Sequence, residues 1–298
     1  MKLLRTVAEL RAELDGSRLA RRRIGLVPTM GALHEGHLSL IRRARAACDV
    51  VVVTLFVNPA QFDEPGDLEA YPRNERRDAR LAAAAGADVL FAPAPREVYP
   101  AGFATTVSVS GIGDALEGDR RGAEHFAGVA TVVVKLLNMA GADVVFLGQK
   151  DAQQVAVIRR LVRDLDIPVR IEVGATVREP DGLALSSRNV RIAGADRGRA
   201  LALRSALDAV RATVQAGERD AAAIVAAGRA AMTALSVEPE YLELVAPDSF
   251  AGVAQLNGEP VLAAVAARIG DVRLIDNEIV TTAADEDEIL TTAADRRP

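Results

Sequence analysis

Short valine-rich runs recur through the first part of this chain, separated by segments of helical spacing. That alternation restricts the fold more than any other feature. The runs at 24–29, 50–57, 89–91, 144–147 and 169–173 are apolar and bounded by turn residues, which predicts buried strands. Between them, residues 37–48, 75–85, 127–140 and 152–165 read as helices. Strands that alternate with helices predict an α/β fold, a Rossmann-like parallel sheet covered on both faces. Ligands bind such sheets beyond the carboxyl ends of the strands, which directs attention to the loops after Thr29, Val57 and Leu147.

The pattern changes after the turn signal Pro180-Asp181-Gly182. Alanine-rich helices are expected at 195–215 and 221–235, with short strands at 241–245, 261–268 and 272–275. The expectation is an N-terminal domain at 1–176 and a smaller α+β domain at 177–298, two domains being natural for 298 residues. The segment after 278 is acidic and repeats Thr-Thr-Ala-Ala-Asp from Thr281 and again from Thr291, which predicts a solvated, poorly ordered tail.

Composition removes several classes of function. No apolar run approaches the roughly 18 residues of a membrane span, and residues 1–23 alternate charge with single leucines, unlike a signal-peptide core. Cys48 is the sole cysteine, so no intrachain disulfide forms and a reducing cytoplasm is expected. A net charge of −5, few aromatics and no basic stripe argue against nucleic acid as a partner.

The strongest local signal is Pro28-Thr29-Met30-Gly31-Ala32-Leu33-His34-Glu35-Gly36-His37, between a strand and a helix. A helix N-terminus offers N–H groups and a positive dipole end to phosphate. Gly31 and Gly36 remove side chains where the backbone turns or meets a ligand. Two imidazoles three residues apart suit phosphate oxygens, though the same spacing serves a helix cap or, less often, a metal. Neither the Walker loop nor the dinucleotide fingerprint is present. Three further clusters carry polar chemistry. Asn58-Pro59-Ala60-Gln61-Phe62 follows a strand, and Gln61 offers both a donor and an acceptor. Gly148-Gln149-Lys150-Asp151, with Gln154 after it, opens a helix and brings a point charge. Leu185-Ser186-Ser187-Arg188 combines two hydroxyls with a guanidinium, a good phosphate clamp. Taken alone, each of the three is also an ordinary loop or a solvated first turn.

His-x-Gly-His after a strand resembles the signature of the nucleotidyltransferase superfamily, which includes class I aminoacyl-tRNA synthetases. Within it, segments 27–37, 55–62, 71–73, 125–137, 148–154, 181–189 and 272–277 resemble the pantothenate synthetase family, in that family's order. The resemblance implies ATP-dependent condensation of pantoate with β-alanine through a pantoyl-adenylate, releasing AMP and pyrophosphate. It implies ATP contacts from Met30, Gly31, Ala32, Leu33, His34, Glu35, Gly36 and His37, and from Gly148, Gln149, Lys150 and Asp151. Leu185, Ser186, Ser187 and Arg188 would close over the β and γ phosphates, and the backbone of Val177 would meet adenine. His34, His37 and Lys150 would stabilise the developing charge. Gln61 and Gln154 match the glutamines that hold pantoate, with Asn58 beside them as a substrate residue.

The resemblance also implies Mg²⁺ with the triphosphate and a homodimer through the N-terminal domain. Asp78 stands where relatives carry acidic residues proposed to hold the metal, although an exposed helix aspartate is the simpler expectation. His125 lies in a turn that departs from the family pattern and receives no catalytic role. Two other readings stay open: an adenylyltransferase that hands AMP to a phosphorylated acceptor, and a non-catalytic nucleotide-binding module. The first would need a basic acceptor pocket in place of Gln61 and Gln154.

Overall fold

Residues 1–62 and 65–282 are described by the computed structural model. They form two compact units. The first comprises Met1–Gln149 and Gln153–Ala175; the second comprises Lys150–Ala152 and the chain from Thr176 onward.

The first unit is built on six parallel strands: β1 (Lys2–Leu4), β2 (Ile24–Thr29), β3 (Val50–Leu55), β4 (Val89–Phe91), β5 (Val144–Gly148) and β6 (Arg170–Gly174). Their order is β1-β4-β3-β2-β5-β6. The chain runs from β2 outward through β3 and later returns to β5 on the other side of β2. A crevice at such a reversal is where parallel sheets bind ligands. Leu26, Val51, Val52, Val53, Leu90, Phe91 and Val145 are completely buried. Neighbouring positions of one strand are buried together because helices cover both faces.

The long helices of this unit are α1 (Val7–Leu19), α2 (Glu35–Ala47), α3 (Glu75–Ala84), α4 (Ala123–Ala140) and α5 (Ala152–Asp164). Two of these named elements lie outside the sequence reading. β1 is an edge strand of three residues, too short to show a period. Helix α1 has a weak apolar stripe, but its start is well marked: Thr6 Oγ1 accepts from the Glu9 N–H at 3.2 Å, while Glu9 Oε2 accepts from the Thr6 N–H at 2.9 Å.

In the second unit, helices α6 (Ala202–Gln215) and α7 (Ala221–Thr233) accompany an antiparallel sheet of β7 (Tyr241–Val245), β8 (Val261–Ile269) and β9 (Val272–Val280). Its core includes Leu203, Leu207, Val210, Ile224, Leu242 and Val265. The single helix expected at 195–215 is broken, with a short turn at Arg197–Ala200 preceding α6. Strand β9 runs five residues beyond the Ile275 end read from sequence, because Glu278 pairs opposite Ala263 and its carboxylate receives Arg204 at 2.8 Å and also Arg211. The tail expectation otherwise falls on residues 283–298, outside the described residues. Among the described residues, no helix is long and apolar enough to cross a membrane.

A buried ion pair ties β9 to the start of this unit. Arg178 donates to both oxygens of Asp276, at 2.6 and 3.0 Å, and the Asp276 side chain is 2% exposed. Removing one partner strands the other's charge in a poorly hydrated place. Asp276→Ala is therefore expected to cost about 3–5 kcal/mol, read as a lower urea midpoint.

Candidate active site

The loop leaving β2 turns sharply. Gly31 has φ +95° and Ala32 φ +51°, the left-handed region in which an alanine needs outside support. Asp78, in the first turn of α3, gives that support. Its Oδ2 accepts from the Ala32 N–H and its Oδ1 from the Leu33 N–H, each at 2.9 Å. Its neighbour Arg77 donates to the Leu33 carbonyl at 3.0 Å. A Cβ on Gly31 would meet Leu55 Cδ1 at 2.7 Å and Asp78 Oδ2 at 3.2 Å, so size and backbone angle both require glycine.

Two expectations for Asp78 are corrected by this geometry. It is 1% exposed rather than a surface helix acid. Both of its oxygens face backbone donors, an arrangement that does not fit a magnesium ligand. Among the described residues, no group of three or more His, Cys, Asp or Glu could hold a metal ion.

Helix α2 starts at Glu35 with His34 as its cap. His34 Nδ1 accepts from the Gly36 N–H at 3.2 Å, and His37 Nδ1 accepts from the His34 N–H at 3.4 Å. A nitrogen that accepts carries no proton, so this reciprocal cap places the proton of each neutral ring on Nε2. The ring centroids are 4.1 Å apart and the planes tilt by 44°. The N–H groups of His37 and Leu38 bond to the His34 carbonyl. The Gly36, His37 and Leu38 N–H groups of this turn are thus engaged within the helix start, and the helix cap that the His-x-x-His spacing also allowed is present. A Cβ on Gly36 would lie 2.9 Å from His34 Cε1, which explains the glycine between the histidines.

After β3, the turn Pro59–Gln61 is capped by Asn58, which is 1% exposed. Asn58 Oδ1 accepts from the Ala60 N–H at 3.3 Å and from the Tyr99 hydroxyl at 2.8 Å. Its Nδ2 donates to the Gly128 carbonyl at 3.1 Å and to Gln61 Oε1 at 3.0 Å. Two donors and two lone pairs are the full capacity of an amide. Asn58 is therefore a positioning residue, in place of the expected substrate contact. Burial pushes the Tyr99 phenol up to about 12, so it stays protonated and donates.

Helix α4 clamps the same turn from the other side. His125 Nδ1 donates to the Gln61 carbonyl at 2.9 Å, and its Nε2 accepts from Arg121 at 3.1 Å. A Cβ on Gly128 would fall 2.2 Å from the Ala60 carbonyl oxygen, so helix and turn meet backbone to backbone. Sequence reasoning missed Tyr99 and the work of His125. Gly128, a glycine inside a helical pattern, was a readable signal of close approach.

After β5, a short turn at Gln149–Asp151 leads into α5. Lys150 is mostly buried, with Nζ 3.7 Å from Asp151 Oδ1, and its carbonyl accepts from Asn277 Nδ2 at 2.8 Å. Of the two adjacent glutamines, Gln154 is half-buried and Gln153 is buried. Gln153 Nε2 donates to the carbonyls of Ile112 and Ala115 at 2.7 Å each, which leaves it a structural role.

In the second unit, the Leu185 N–H donates to the Val177 carbonyl at 2.9 Å, and Arg178 bridges Ala184. The Pro180-Asp181-Gly182 turn is the tip of this small hairpin. Ser186, Ser187 and Arg188 follow it, half-buried, with the Arg188 N–H donating to Ser186 Oγ at 3.2 Å. Asn189 Nδ2 anchors the segment to Glu179 at 2.7 Å and to the Ala184 carbonyl at 3.0 Å.

Comparison with known proteins places the whole chain in a family. The family model described as pantoate-beta-alanine ligase matches residues 2–279. A pantothenate synthetase of Cereibacter sphaeroides is 55% identical over 275 residues, 92% of this chain and 98% of the relative. A crystal structure of pantothenate synthetase from Thermus thermophilus is 44% identical with a TM-score of 0.87, covering 93% of this chain and 99% of that one. Another, of pantoate-beta-alanine ligase from Francisella tularensis complexed with beta-gamma ATP and beta-alanine, is 34% identical with a TM-score of 0.78, covering 94% and 97%. The chain belongs to the pantoate–β-alanine ligase family, the pantothenate synthetases.

Proposed function

We propose that the chain condenses pantoate with β-alanine at the expense of ATP. The pantoate carboxylate attacks the α-phosphorus of ATP, the bond to the β-phosphate breaks, and pyrophosphate leaves. The resulting pantoyl-adenylate has AMP as its leaving group, which the oxide of a free carboxylate cannot match. The β-alanine amine then attacks the acyl carbon and releases pantothenate and AMP.

The observation that carries this reading is the reciprocal cap that holds His34 and His37 with their ring protons on Nε2. Two preset donors suit phosphoryl oxygens on which charge grows, and they need no reorganisation as it does so. Lys150 adds a point charge, and Ser186, Ser187 and Arg188 serve the β and γ phosphates. Met30, Glu35, Gly148, Gln149, Asp151, Leu185 and the Val177 backbone complete the ATP contacts. Magnesium would supply charge neutralisation to the triphosphate, and Asp78, which accepts from the Ala32 and Leu33 N–H groups, would not hold it. Gln61 and Gln154 hold pantoate through neutral amides, which orient a carboxylate without quenching its nucleophilicity. The working form is a cytoplasmic homodimer.

The test is pyrophosphate exchange into ATP. Exchange that depends on pantoate and proceeds without β-alanine is expected. Exchange driven only by a phosphorylated acceptor would replace this reading with AMP transfer, and no exchange would leave a binding module.

A further inference from the structure

The Asn58 cluster determines more than the place of Gln61. An amide's two ends are told apart by what surrounds them. The Gly128 carbonyl can only accept, so Nδ2 of Asn58 faces it; the Ala60 N–H can only donate, so Oδ1 faces that. With Asn58 oriented by two backbone groups, its second N–H must meet an acceptor on Gln61, which is Oε1 at 3.0 Å. The Tyr99 hydroxyl, 2.8 Å from Oδ1, supplies the remaining donor and secures the amide from the far side. The Gln61 backbone is held independently through His125.

We infer that Tyr99 is a positioning residue which, through Asn58, turns the Gln61 amide so that its NH₂ is the group offered to substrate. The inference rests on the reading that pantoate binds at Gln61, and it adds a polarity: the atom recognised there is an acceptor, a carboxylate or hydroxyl oxygen. Tyr99 is 41 residues from Asn58 in sequence and touches no reacting atom in this scheme. Its ring lies 5.2 Å from Phe103 and 6.2 Å from Phe56, centroid to centroid, so phenylalanine keeps the packing and removes only the donor.

Steady-state kinetics with pantoate varied tests each link. Tyr99→Phe should raise the pantoate KM about five- to tenfold, while kcat and the KM for ATP move by less than about twofold. A variant that merely lost structure would lower kcat as active enzyme disappears, and its melting point would report that. Gln61→Glu keeps an oxygen toward Asn58 but offers oxygen where NH₂ stood, so the pantoate KM should rise about thirtyfold or more. In a Gln61→Ala background, Tyr99→Phe should add nothing. Pantoate binding by Gln61→Glu within a fewfold of wild type would overturn the polarity. A Tyr99→Phe effect equally large without Gln61 would overturn the relay. If Gln61→Ala left the pantoate KM unchanged, the placement of pantoate itself would fall, a failure distinct from the other two.

Discussion

His37→Ala slows adenylate formation by about a hundredfold or more, the loss of roughly 3 kcal/mol of barrier stabilisation that one preorganised donor supplies. Pantoate-dependent pyrophosphate exchange measures it directly. The cap geometry sharpens the expectation. His37 spends Nδ1 on the His34 N–H, so the chemistry falls to Nε2. A glutamine reaches about as far as Nε2 and carries donors there; an asparagine reaches only about as far as Nδ1. His37→Gln should therefore keep more activity than His37→Asn, which still reaches the His34 N–H but ends short of the Nε2 position. Equal rates for the two, or a wild-type rate for His37→Ala, would remove the assignment. His34→Ala removes the N-cap residue itself, whose Nδ1 accepts from the Gly36 N–H at 3.2 Å against 3.4 Å for the His37 half of the cap, and should cost about 0.5–2 kcal/mol of stability.

The second large effect belongs to a residue that meets no substrate. Asp78→Ala leaves the N–H groups of Ala32 and Leu33 without their acceptor, and Leu33 is completely buried. An unsatisfied buried donor costs about 1–3 kcal/mol, so the pair should cost on the order of 4 kcal/mol. At about 2–4 °C per kcal/mol for a chain of this size, the melting point should fall by roughly 10 °C. Asp78→Asn should not rescue it, because one of the two amides would then face an NH₂. Exchange activity should fall further than the folded fraction does, since the left-handed Ala32 relaxes once released and carries His34 with it. The magnesium concentration for half-maximal rate should stay at the wild-type value. A tenfold rise in that concentration would restore Asp78 as a metal ligand.

The parallel sheet was legible because its strands are short, apolar and set apart by helical periods. Ile24–Thr29 and Val89–Phe91 appear where the sequence pattern places them. His34 and His37 were legible because two histidines and two glycines at a strand end are unusual. The supports of the site were not, and sequence separation explains why. Asp78 acts on a loop 46 residues away, Tyr99 acts 41 away and His125 acts 64 away. A local pattern carries no trace of such pairs. Asn58 illustrates the resulting error. It is polar and adjacent to Gln61, which suggests substrate contact, until the fold brings the Gly128 carbonyl and the Tyr99 hydroxyl to it.

The bare contact between Gly128 and the Ala60 carbonyl also limits how this protein can be made hardier. Exchanging a mid-helix glycine for alanine is a standard route to a more heat-resistant enzyme, worth about 1 kcal/mol where the backbone is ordinary. Gly16 in α1 is such a place, with nothing within 4 Å of an added Cβ. At Gly128 the same exchange would drive a methyl into a peptide carbonyl 2.2 Å away and push the Gln61 turn off the helix. Two glycines that look alike to a stabilisation scheme thus have opposite value, and only one is open to improvement.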